Sequence, residues 1–95
     1  MFIVEIIYKK SLVEIDQHLA EHRAFLDVGY QQNYFVASGP KNPRVGGIII
    51  SQLKNRSQLE GILKQDPFNL HGLADYNIIE FDPVKYHADF ASFLG

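Results

Sequence analysis

The apolar positions change period along the chain. Phe2, Ile3, Val4, Ile6, Ile7 and Tyr8 make a dense run before Lys9-Lys10, too brief for a helix and rich in side chains that suit a pleated surface, which predicts a first strand over Phe2 to Tyr8. Beyond it Leu12, Ile15, Leu19, His22 and Leu26 recur three or four residues apart and fall on one helical stripe. Ser11 and Glu14 form a capping box at its start and Gly29 is a stop signal, so the pattern predicts one helix from Leu12 to Val28. Tyr34 to Ser38 reads as a second strand, broken by Gly39-Pro40-Lys41-Asn42-Pro43, whose prolines cannot donate to a ladder. Gly46-Gly47 lead into Ile48 to Leu53, a β-branched run that predicts a third strand. Asn55 and Gln58 open a second helix with Leu59, Ile62 and Leu63 on its apolar face up to Gln65, and Asp66 closes it, because a residue before proline is pushed out of the α region. Pro67 to Gly72 is a loop or a single turn, Ala74 to Phe81 the last strand, and Pro83 to Leu94 a short amphipathic helix anchored by Tyr86, Phe90 and Phe93.

The resulting order, β-α-β-β-α-β, is that of an α+β ferredoxin-like sandwich, with both helices on one face of a four-stranded antiparallel sheet. With no repeat, low-complexity tract or linker, residues 1–95 are expected to form a single domain. A lone sheet with one covered face should alternate apolar and polar residues. The first strand instead is apolar at both parities, Phe2, Val4 and Ile6 against Ile3 and Ile7, and so is the third. Something must bury the second face: a second copy packed sheet to sheet across a two-fold axis, or the C-terminal helix folded back over it.

Composition narrows the chemistry. Of 95 residues, 46% are hydrophobic and 21% charged, enough apolar surface to fold. Lys and Arg number 9 against 11 Asp and Glu, a net charge of −2, so no global positive field favours nucleic acid as a partner. The absence of cysteine removes disulfides, thiolate nucleophiles and Cys-ligated metals. The longest apolar run, Val45 to Ile50 with its two glycines, falls far below the roughly 18 residues of a membrane span, and Met1 to Glu5 lack the basic flank of a secretion signal. A soluble, cytoplasmic protein is expected, with any chemistry drawn from His, Asp, Glu, Ser, Tyr or an added cofactor.

His22 is the polar member of an aliphatic stripe. A core histidine bonded to a carbonyl is one reading. The other is a general acid/base: Asp66, at the end of the second helix, faces His22 if the two helices pack side by side, and a carboxylate that fixes the imidazole tautomer makes a common proton-transfer unit. His18 and His22 have the i, i+4 spacing of a shared metal ligand pair, but Leu19 stands where the zinc-protease helix carries Glu and no third ligand is evident, so no metal is expected. His71 and His87 have only surface roles by spacing. The Gly39 to Gly47 segment lacks both phosphate-loop patterns and reads as turn chemistry, with Lys41 and Arg44 offering a modest pull on an anion.

Ala20-Glu21-His22-Arg23-Ala24-Phe25-Leu26, Ala37-Ser38-Gly39-Pro40, Gly46-Gly47, Gln65-Asp66-Pro67-Phe68, Gly72-Leu73 and Ile78-Ile79-Glu80-Phe81 follow one another as in the YciI-like proteins, which the chain resembles over nearly its whole length. The resemblance implies a dimeric α+β barrel of two ferredoxin-like subunits, hence a homodimer. It also implies a pocket with His22 and Asp66 as the active pair and Ser38, Gly39, Pro40 and Phe68 beside a small-molecule substrate. Related enzymes are a dehydrochlorinase of a chlorinated hydroxyquinol, muconolactone isomerases and cofactor-free monooxygenases. The expectation is therefore a lyase or isomerase without metal or organic cofactor, acting on a small cyclic or phenolic compound. The alternative is a dimeric module that binds a small ligand without turnover. The segment after Phe81 departs from the family pattern.

Overall fold

The computed structural model describes residues 1–95. Its elements are β1 (Phe2–Tyr8), α1 (Leu12–Gln17), α2 (Leu19–Gln31), β2 (Phe35–Pro40), β3 (Gly46–Ser51), α3 (Arg56–Leu63), α4 (Pro67–Leu70), β4 (Ala74–Glu80) and a 3-10 helix over Ala88–Phe93. The strands form one antiparallel sheet in the order β2-β3-β1-β4, the ferredoxin-like arrangement expected.

Alternation decides the faces. Phe2, Val4 and Ile6 of β1 and Ile49 of β3 are buried, together with Ile15, Phe35, Leu59, Leu63, Phe68, Leu73 and Ala74, so the helices cover this side of the sheet. On the other side the register aligns Ile50, Ile3 and Ile79 across β3, β1 and β4, and Ile7 and Ile79 are 41% and 48% exposed. This apolar face has no cover within the chain. The C-terminal segment instead runs past one end of the sheet, near Met1, Gln52, Lys54 and Glu80.

Several boundaries differ from the sequence expectation. The first helix is two: Ser11 caps α1 by accepting from the Glu14 N–H at 3.3 Å, but His18 leaves the helical region (φ −117°, ψ 9°), and α2 restarts with the His22 N–H donating to the His18 carbonyl. Gly29 does not end α2. It lies inside the helix because its surface meets Phe35, where an added Cβ would stand 2.2 Å from the ring. The reversal comes at Asn33, whose φ of 60° is a conformation that asparagine tolerates better than most residues.

β2 continues to Pro40, two residues further than expected, because it is an edge strand and its outer side needs no donor. β3 begins at Gly46, not Ile48, and ends at Ser51. A Cβ on Gly46 would lie 1.9 Å from the Ile6 carbonyl oxygen, so glycine permits the close approach of β3 to β1. α3, capped by Asn55 accepting from the Gln58 N–H at 2.9 Å, stops at Leu63. The amphipathic helix expected over Pro83 to Leu94 is absent. Residues 83–87 are not helical, and only Ala88–Phe93 wind into the 3-10 turns. Phe90 and Phe93 pack mainly on each other, 5.4 Å between centroids, while Tyr86 is 52% exposed and anchors nothing, too little burial to hold a longer helix.

Candidate functional site

Asp66 sits at the junction of α3 and α4, where Pro67 excludes an α conformation and leaves it extended (φ −62°, ψ 125°) as the cap of α4. Its side chain is fully buried and accepts three hydrogen bonds. Oδ1 takes the Phe68 N–H at 3.1 Å and faces His22 Nδ1 at 2.7 Å, and Oδ2 takes the Tyr76 hydroxyl at 2.6 Å. A buried carboxylate is tolerated only when its lone pairs are occupied in this way. Burial, and then the neighbouring Asp66 charge, hold the Tyr76 phenol well above its usual value, so it remains a donor.

His22 projects from α2 and is 8% exposed. With Asp66 accepting at Nδ1, the neutral ring carries its proton there and leaves Nε2 bare, and no group of the chain bonds to Nε2. Phe68 stacks on the imidazole at 4.0 Å with planes 9° apart, and Tyr8 meets Phe68 edge-on at 5.9 Å. The ring is therefore fixed by a carboxylate on one edge and an aromatic face below.

His22 borders a cavity of about 510 Å³. Ile6, Leu19, Leu26, Ile49 and Phe68 make much of its apolar wall, while Ser38, Gly39 and Pro40 of β2 close another side. Five of the six residues singled out from sequence, His22, Ser38, Gly39, Pro40 and Phe68, thus meet at one cavity, and Asp66 stands behind His22. Ser38 Oγ shares a hydrogen bond of 2.7 Å with the Tyr30 hydroxyl. Of the two loop cations, only Arg44 reaches the cavity, held by Asp16 at 2.5 Å, whereas Lys41 turns to Glu5 at 2.8 Å. The Arg44 hydrogen bond holds the Asp16 carboxyl below its ordinary range.

Sequence reasoning missed Tyr76, Arg23 and Tyr8. Tyr76 was within reach: with Ala74 and Ile78 it has the inward parity of β4, and an inward tyrosine needs a partner for its hydroxyl. His18 and His22, spaced as a metal pair but not expected to hold a metal, do not share a partner. His22 is committed to Asp66, while the His18 ring stacks at 3.9 Å on His71, which is exposed as expected but has a partner that spacing did not reveal. His18, Glu21 and His71 form the one group of three side chains with metal-ligand character, and His87 caps the 3-10 helix, accepting from the Asp89 N–H at 3.1 Å.

A family model described as the YCII-related domain matches residues 1–82, leaving out the segment whose helix was not found. No curated protein matches the chain by sequence. Among solved structures, a 5-chloro-2-hydroxyhydroquinone dehydrochlorinase from Burkholderia phenoliruptrix, in complex with 2,5-dihydroxybenzoquinone, is similar with a TM-score of 0.68 at 18% identity, over 86% of this chain and 94% of that one. The likeness is one of fold. No helix is long and apolar enough to cross a membrane.

Proposed function

The chain belongs to the YCII-related family, and on that premise we propose that it is a cytoplasmic, homodimeric enzyme of lyase or isomerase type that moves a proton on a small cyclic or phenolic substrate. The observation that carries this reading is the 2.7 Å contact between His22 Nδ1 and the buried Asp66 carboxylate, with His22 lining a cavity and no group of the chain bonded to its Nε2. A volume of 510 Å³ lies within the range of about 300 to 1,000 Å³ typical of small-ligand sites.

In the proposed reaction His22 Nε2 takes a proton from a substrate O–H or from a C–H beside a carbonyl, and the bonding pair moves toward the ring. The imidazolium is stabilised across Nδ1 by Asp66, which Tyr76 and the Phe68 N–H keep in place. In a lyase the electron pair expels an anionic leaving group from the adjacent carbon. In an isomerase the same proton returns from Nε2 to a different carbon. Arg23 and Arg44 at the cavity supply positive charge for the developing anion, and Ser38 and Gly39 offer polar contacts. The structural neighbour's action on a chlorinated hydroxyhydroquinone supports a phenolic substrate class.

The test is a panel of chlorinated hydroxyhydroquinones and unsaturated cyclic lactones, with release of chloride or double-bond migration as the readout. The wild type is expected to turn over at least one compound. His22→Asn should keep the fold and lose about two to four orders of magnitude in kcat, with Asp66→Asn losing less. Binding without turnover in the wild type would favour the sequestering module and overturn the enzymatic reading.

A further inference from the structure

His18, Glu21 and His71 take no part in the proposed reaction. We propose that they form a binding site for a late first-row divalent cation of the zinc class. Their ligand atoms all lie within 4.8 Å of one another. Glu21 Oε2 stands 3.5 Å from His18 Nδ1 and 3.8 Å from His71 Nε2, so one carboxylate oxygen is close to both imidazoles. Around a tetrahedral ion with bonds of about 2.0 to 2.2 Å, donors stand roughly 3.3 to 3.6 Å apart. The two carboxylate separations are at or near that range.

A second observation points to a ligand. His18 Nδ1 is enclosed and has no hydrogen-bond partner, the one such side-chain atom in the protein. An enclosed nitrogen without a partner is costly, and an ion that takes its lone pair removes the cost. The His18 and His71 rings lie against each other, 3.9 Å between centroids with planes 27° apart, so the two side chains are already neighbours. Two imidazoles and one carboxylate suit zinc, cobalt or nickel, while calcium and magnesium take oxygen donors. Side-chain exposures of 59% for Glu21 and 47% for His71 leave the ion open to exchange and to a water as fourth ligand.

The position gives the ion a structural effect. His18 is the N-cap of α2, which carries His22, and His71 is the C-cap of α4, which Asp66 begins. Binding therefore ties together the two elements that hold the candidate pair and should raise thermal stability.

Untagged protein stripped by a chelator is titrated with zinc chloride in a calorimeter, and with cobalt chloride under visible absorption. One equivalent of zinc per chain with micromolar affinity, a higher Tm and the strong cobalt bands of tetrahedral coordination are expected. Because Glu21 and His71 are solvent-facing, Glu21→Gln and His71→Ala should fold normally and weaken zinc binding by about tenfold or more, while His87→Ala binds as the wild type does. No binding at submillimolar zinc, or binding that His71→Ala leaves unchanged, overturns the proposal. Neither result bears on turnover at His22.

Discussion

Asp66 is the residue on which the site turns, because a carboxylate with no exposed surface holds His22, Tyr76 and the start of α4 at once. Removing the acceptor strands three donors inside the protein, whereas removing one donor leaves two bonds intact. Asp66→Ala should therefore cost on the order of 3 to 5 kcal/mol and Tyr76→Phe about 1 to 2 kcal/mol. Urea denaturation with an unchanged slope would measure both. Equal costs would show that Asp66 is not the common acceptor. Phe68 has a double part at this scale, its backbone N–H fixing the carboxylate and its ring supporting the imidazole.

Among the elements, β3 shows most directly how the sheet divides its faces. Ile49 is 1% exposed and enters the core, while Ile50 faces the other way and lines up with Ile3 and Ile79. The next row on that face holds Ile48, Glu5 and Asn77, and the Lys41 ammonium keeps the Glu5 carboxyl below its ordinary range, so its charge is held by a partner instead of interrupting the apolar row alone. The proposed sheet-to-sheet pairing of two copies would bury this surface. Light scattering behind gel filtration should give about twice 10.9 kDa at micromolar concentration. Ile50→Lys should yield a monomer or an aggregate, because the substitution puts a charge on the apolar face of the proposed interface and leaves the core untouched. A stable wild-type monomer would contradict the pairing.

For the whole molecule, the order of strands and helices was legible because each segment announces its period, and the β1 parities already showed a two-sided sheet. His22 stood out as the polar member of an aliphatic stripe, and Asp66 as a carboxylate locked before Pro67. What escaped notice depends on contacts distant in sequence. Tyr76 matters only because β4 lies beside β1, and His71 only because α4 brings it back to His18. The break at His18 and the 3-10 turns of the C-terminus are local departures to which a helical period is blind. The family resemblance supplied the grouping of Ser38, Gly39, Pro40 and Phe68, which no spacing alone would have assembled. Together these contacts support the proposal that the His22 Nδ1–H is fixed on Asp66 and that Nε2 is left bare for a ligand in the cavity. Long-range proton–nitrogen correlation NMR of histidine-labelled protein at mildly alkaline pH, during titration with a hydroxylated ring compound, reads both halves of it. His22 is expected in the Nδ1–H tautomer, and its Nε2 should move more than any other histidine nitrogen as the cavity fills. An Nε2–H tautomer, or a saturating ligand that leaves His22 unmoved, would contradict it.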